Sequence, residues 1–142
     1  MTARTVNFLR NCTGGAAVEF AILTPVYLLM LGATLAYGFY FAAAHSLQQL
    51  AADAARISIA GLDRAERDAM VGRYLDSHGG EYLLIDKAYL THSIGDDPTD
   101  PTQYRVTLRY DAITLPIWNL YSPLPLPSRY MTYGATIRQG GL

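Results

Sequence analysis

The chain has 142 residues, enough for one domain and too few for two ordinary ones. Its formal net charge is −1, so no broad basic field argues for nucleic acid as a partner. A single cysteine, Cys12, excludes an intrachain disulfide and a cysteine-rich metal site.

Apolar residues make up 51% of the chain and charged residues 16%, against about 25% charged in ordinary soluble domains. The deficit is concentrated near the N-terminus. A short flank carries Arg4 and Arg10 with no acid before Glu19. From Phe20 to Ala44 there is no charge, and Thr24 and Thr34 are the polar interruptions. At about 1.5 Å per residue this run makes roughly 37 Å of helix, enough to cross a bilayer core of about 30 Å with some tilt. Pro25, Gly32 and Gly38 lie inside it, and membrane helices tolerate such residues better than soluble ones. Tyr37, Phe39, Tyr40 and Phe41 cluster near the far end, where aromatic rings favour the interface. Loop charge predicts that Arg4 and Arg10 stay in the cytoplasm and that everything after His45 is exported.

Two other readings compete for the run. One is a buried helix of a soluble protein. The other is a secretory signal, since Ala42-Ala43-Ala44 before His45 satisfies a small-x-small cleavage pattern. The run is much longer than the usual signal core of about 7–15 residues, and a cleaved signal leaves Glu19 unexplained. Glu19 itself has two readings. A carboxylate in the first helical turn gains about 0.3–1 kcal/mol from the macrodipole and can serve as a simple cap in the headgroups. Drawn into hydrocarbon, it needs a cationic partner, because an unmatched charge there costs several kcal/mol.

After the span comes "HSLQQLAADAARISIAG", His45 to Gly61. Leu47, Leu50, Ala51, Ala54 and Ile57 recur at three- and four-residue steps, while Gln48, Gln49, Asp53 and Arg56 fall largely off that stripe. The spacing predicts a helix running from the membrane into water and ending at Gly61. "LDRAERDAMVGRYLDSHGG" predicts a second helix, capped by Asp63 with Glu66 completing a capping box and ended by Gly79-Gly80. Met70, Val71, Tyr74 and Leu75 form its inward face. Three strands are predicted next, from "EYLLIDKAYLTHSI", "QYRVTLRYDAITL" and "RYMTYGATIRQ". The second alternates cleanly, with Tyr104, Val106, Leu108 and Tyr110 on one face and Arg105, Thr107 and Arg109 on the other. "LYSPLPLPS" reads as a stiff crossover between strands.

The predicted fold class is therefore α+β: a long N-terminal transmembrane helix extends into a small exported head of a second helix and an antiparallel sheet of about three strands. The expected divisions are a basic leader over 1–14, a membrane-spanning and amphipathic helix over 15–61, and the head over 62–142.

No catalytic chemistry is legible. His45, His78 and His92 are scattered, and HExxH, GxSxG and a phosphate-binding glycine loop are absent. Asp96, Asp97 and Asp100 stand close together in "GDDPTDP", but EF-hand spacing and a closing glutamate are missing, so an acidic turn is expected rather than calcium. Neither cofactor nor metal is expected, and the chain is read as a non-enzyme. The 11 tyrosines are assigned to core and sheet packing. Asn11-Cys12-Thr13 matches a glycosylation acceptor, but on the side read as cytoplasmic.

The order Gly14, then Gly15-Ala16-Ala17-Val18, then Glu19-Phe20 resembles the processing site of the type IV pilin superfamily, most closely its tight-adherence branch. "LAADAARISIAG" resembles the alanine-rich stretch ending in arginine that follows the span in TadE-like proteins, the minor pseudopilins of the tight-adherence pilus. The resemblance implies that a prepilin peptidase cuts between Gly14 and Gly15 and that the helix is kept, with Phe20, Pro25, Gly32, Gly38 and Ala44 in the span. It also implies that Glu19 faces the freed N-terminal amine of a neighbouring subunit. The expected partners are the peptidase, other pilin and pseudopilin subunits, an inner-membrane assembly platform and the lipid bilayer. The expected location is the bacterial inner membrane, with the head in the periplasm, and then the pilus, where a priming or tip role serves surface adhesion. Small residues at Ala33, Ala36 and Ala42 allow helices to approach closely. A membrane-tethered binding module, or a secreted domain released after Ala44, is the alternative.

Overall fold

The computed structural model describes residues 13–100, 102–119 and 126–138. The leader up to Cys12 and the stiff connection through Pro125 lie outside them. The chain divides into two compact units between Leu35 and Ala36.

Helix α1, Thr13–Ser58, has 46 residues and passes through Pro25 without a break. Pro25 has no N–H to give to the preceding turn. The hydroxyls of Thr24 and Thr34 donate to the carbonyls of Phe20 (2.6 Å) and Met30 (2.9 Å), so both are satisfied within the helix, as hydrocarbon surroundings require.

Within the unit Ala36–Leu142, α1 buries Ala43, Leu47, Leu50, Ala51 and Ala54 in the core. The predicted stripe departs at Ile57, which is 41% exposed; Ser58 takes the inward position. The step of four from Leu47 to Ala51 and again from Ala54 to Ser58 keeps pace with 3.6 residues per turn, and Ile57 falls off the face. The Ser58 hydroxyl donates to the Ala55 carbonyl (2.7 Å) and bonds Tyr104 Oη (2.9 Å), so its burial leaves no polar atom unpaired.

The turn after α1 closes through the Gly61 N–H to the Ser58 carbonyl. A Cβ at Gly61 would lie 2.6 Å from Arg67 Cγ and 2.9 Å from the Arg67 backbone nitrogen. Gly61→Ala is therefore expected to push the next helix outward and cost about 1–3 kcal/mol, read as a lower urea midpoint of the full chain in detergent. An unchanged midpoint would show that the turn yields freely.

Helix α2, Arg64–His78, starts as its sequence dictates. Asp63 Oδ1 accepts the Glu66 N–H (2.8 Å), and Glu66 Oε2 reaches back to the Leu62 N–H (2.8 Å). Val71 and Leu75 are buried, and Met70 and Tyr74 half-buried. Gly79 does end the helix, but with right-handed dihedrals, and the chain continues into a 3₁₀ turn over Gly79–Glu81.

The first predicted strand is much shorter than expected. Tyr82 to Tyr89 bends through a turn and a second 3₁₀ element, Lys87–Tyr89, and β1 covers only Leu90–Asp96. Local hydrogen bonds win over the ladder here. Asp86 Oδ1 accepts the Ala88 N–H (2.9 Å), and Leu84 adopts φ 63° so that its carbonyl meets the Tyr110 hydroxyl (3.1 Å). Strand β2, Gln103–Asp111, stops short of the predicted Leu115 because Asp111 caps a 3₁₀ turn over Ala112–Thr114. Strand β3 is Tyr130–Arg138. The sheet is antiparallel in the order β1-β2-β3, with Ile94 opposite Val106 and Val106 opposite Ala135. Tyr104, Val106, Leu108 and Tyr110 all face the core, as their alternation predicts.

The loop between β1 and β2 is the expected acidic turn. Asp97 accepts from the Thr99 N–H (2.9 Å) and hydroxyl, from Arg105 Nη2 (3.0 Å) and from the Thr136 hydroxyl (3.2 Å). Asp100 is held similarly by Thr102 and Gln103. The Thr99 bonds first, and then Arg105 and Thr136, hold the Asp97 carboxyl down at about 2. A depressed carboxylate stabilises the fold above its unfolded value of about 4 and loses that contribution as pH falls through the folded value. Stability is thus expected to be flat above about pH 4 and to fall between about pH 4 and 2. In acid titrations followed by circular dichroism, Asp97→Asn should flatten that fall; an equally steep fall would remove Asp97 as its source.

Candidate functional site

The candidate site is the N-terminal part of α1. Gly14 and Gly15 are exposed helical residues, and a Cβ added at either meets no atom within 4 Å. Glycine costs a helix about 1 kcal/mol relative to alanine, so neither helix propensity nor packing accounts for two in succession. Glu19 is exposed and lies six residues beyond Thr13, in the second turn of α1. It stands one turn, about 6 Å, beyond Gly15.

From Val18 to Leu35 the large apolar side chains point outward, with Phe20 69% exposed. The most apolar 18-residue window of α1 buries none of its residues. Each large aliphatic or aromatic side chain left in water forgoes about 1.5–3 kcal/mol, so a surface of this extent requires hydrocarbon or other helices. Pro25 is exposed on this surface and Gly32 half-buried.

The far end of the predicted span has a different environment. Ala36, Ala43 and Ala44 are buried in the core of the second unit, and Tyr37 and Tyr40 pack against it. The Tyr40 hydroxyl donates to the Ser128 carbonyl (2.8 Å), just before β3. Gly38, Phe39 and Phe41 remain exposed, and Ala42 is half-buried. Gly14, Gly15, Glu19 and Phe20 therefore share adjacent turns of one helix, whereas Ala44 belongs to the packing of the head.

One polar network escaped the sequence reading. Tyr82 Oη donates to Asp53 Oδ2 (2.7 Å) and bonds Tyr74 Oη (2.9 Å), while Arg56 Nη1 holds Asp53 Oδ1 (2.7 Å). Burial, with these hydrogen bonds, pushes the Tyr82 phenol far above its ordinary value. Its residues come from three separate segments, and no local pattern joins them. The three histidines stay apart: His92 Nε2 contacts Asp68 Oδ1 (3.3 Å), the His78 ring stacks on Tyr74 (4.9 Å), and His45 is exposed. Among the described residues, no three histidine, cysteine or acidic side chains gather as a metal site.

These features define a class: among the described residues, one helix long and apolar enough to cross a membrane, continuing into a small α+β head. The family model for "TadE-like protein" matches residues 14–56, from the first glycine of the pair to the arginine closing the alanine-rich stretch. Over that segment the chain resembles that family, and α2 and the sheet lie beyond the match. No curated protein and no solved structure matches the chain.

Proposed function

We propose that the chain is a minor pilin-like subunit, a pseudopilin, of a tight-adherence pilus. A prepilin peptidase trims it after Gly14; α1 holds it in the inner membrane with the head exported. The assembly platform then moves the helix laterally into a bundle with other pilin and pseudopilin subunits, where it primes or tips the fibre and serves surface adhesion.

One observation carries this reading. The TadE-like match falls on the stretch that holds two glycines without a packing role, a lone carboxylate in the second helical turn, and an uncovered apolar surface. The glycines then serve a peptidase that reads the chain, the carboxylate serves a neighbour's new amine, and the surface serves lipid first and other helices later.

The intact mass of the membrane-fraction protein, with and without a co-expressed prepilin peptidase, tests the reading. The expected result is a peptidase-dependent start at Gly15 with α1 retained, blocked by Gly14→Val. A start at Met1 would leave a tethered binding module, and one at His45 would make the apolar run a signal peptide.

A further inference from the structure

The outward face of the sheet has a chemistry of its own. Arg105, Thr107 and Arg109 alternate along it in β2, with Ser93 of β1 beside Thr107 and Thr132 of β3 beside Arg109. The stem of Arg105 lies over Gly134, where an added Cβ would come within 3.1 Å of Arg105 Cδ. Arg138 closes the far end of β3.

The sign of this face is opposite to that of the whole chain, whose net charge is −1. The outward strand residues carry three arginines and one acid, Asp111, which Arg129 grips through two 2.6 Å bonds. Arg105 is shared with Asp97. Among the described residues, Arg109 and Arg138 have no carboxylate within 4.0 Å; Asp111 and Asp100 act on them from further off, and the Arg109 guanidinium rests 4.5 Å from the centre of the Tyr130 ring. Hydroxyls fill the positions between the arginines.

We propose that this face binds an acidic polysaccharide, a chain of uronic acid units. Arginine forks match carboxylates bidentately, and flanking hydroxyls both donate to and accept from sugar hydroxyls. Other partners fit less well. Tyr130 is the one aromatic or aliphatic side chain on the outward strand positions, so the face offers no apolar anchor to a lipid surface. Nucleic-acid bases call for a series of stacking rings, whereas this face has the single Tyr130, with Arg109 and Arg129 already 4.5 and 5.5 Å from its ring centre. The inference goes beyond the pilin reading and stands independently of it.

The test passes the full chain in detergent micelles over immobilised polygalacturonate, with dextran as the neutral control and polyphosphate as the charge-only control. Retention on polygalacturonate is expected, with none on dextran and clearly weaker retention on polyphosphate. Arg109→Gln with Arg138→Gln should weaken it at least about tenfold. Thr107→Val, which leaves the charge unchanged, should weaken it about threefold or more. Arg56→Gln with Arg73→Gln removes the same charge elsewhere and should change it less than about twofold. Thermal midpoints confirm folding of each variant. Absence of retention, equal retention on polyphosphate, equal loss in the Arg56/Arg73 pair, or an unaffected Thr107→Val would each overturn the proposal.

Discussion

If the chain is a pilin-like subunit as proposed, Glu19→Ala is expected to leave it inserted, trimmed and folded, yet to keep it out of the assembled fibre. Its exposure near the start of α1 means that the isolated subunit loses no packing with it. The loss is confined to the state in which helices gather away from water. On the proposed pilin reading a neighbour's α-amine meets the carboxylate there, and removing one partner would strand the other at a cost of several kcal/mol. At about 1.4 kcal/mol per tenfold, incorporation should fall roughly a hundredfold or more, measured as the trimmed protein recovered in sheared pili. Glu19→Asp keeps the charge and should recover part of it. Wild-type incorporation of Glu19→Ala would remove the charge pair from the mechanism, while a fall in the membrane-fraction level would mean that the variant is lost before assembly.

Tyr110→Ala is expected to destabilise the head strongly. Tyr110 is the largest of the fully buried side chains, and it carries structure at both ends. Its ring lies on the sheet's inner face near the end of the middle strand, between Leu90 and Met131, and its hydroxyl bonds the Leu84 carbonyl (3.1 Å) and the Asp86 N–H (3.4 Å). That hydroxyl holds a turn in which Leu84 keeps a left-handed backbone, a conformation costing a non-glycine residue about 1–2 kcal/mol. Truncation to alanine is expected to cost about 3–5 kcal/mol for the cavity and more for the freed turn, against a typical total of about 5–15. Tyr110→Phe keeps the ring and should cost about 1 kcal/mol. Urea titration of the full chain in detergent separates the two, and equal midpoints for the two variants would place the effect in the hydroxyl alone.

The local rules that govern this fold explain what its sequence discloses. The alternation of Tyr104 to Tyr110, the Asp63–Glu66 cap and the Leu47–Ala54 stripe are each written within one element, so each is legible. The apolar run is legible for the same reason, and so is the spacing from Gly14 to Glu19 that the TadE-like match covers. What escapes is set by contacts between elements. The first predicted strand is bent because a residue 26 positions away bonds Leu84, and the position predicted for Ile57 passes to Ser58 because Tyr104 offers its hydroxyl a partner. The burial of Ala44 in the head is hidden for a related reason: alanine suits a membrane helix and a close helix–sheet contact equally well. Glycines 14 and 15 are the converse case, plain in the sequence and without a role in the folded contacts.

Trp118, the chain's single tryptophan, lies in a 3₁₀ turn over Pro116–Asn119, half-buried against the core, with its indole N–H on the Ala112 carbonyl. The apolar helix carries no second indole, so detergent or lipid around that helix adds no competing emission. Tryptophan emission, excited selectively over tyrosine, therefore watches the head alone: a red shift on denaturation dates the opening of its core, even while the helix stays in the micelle.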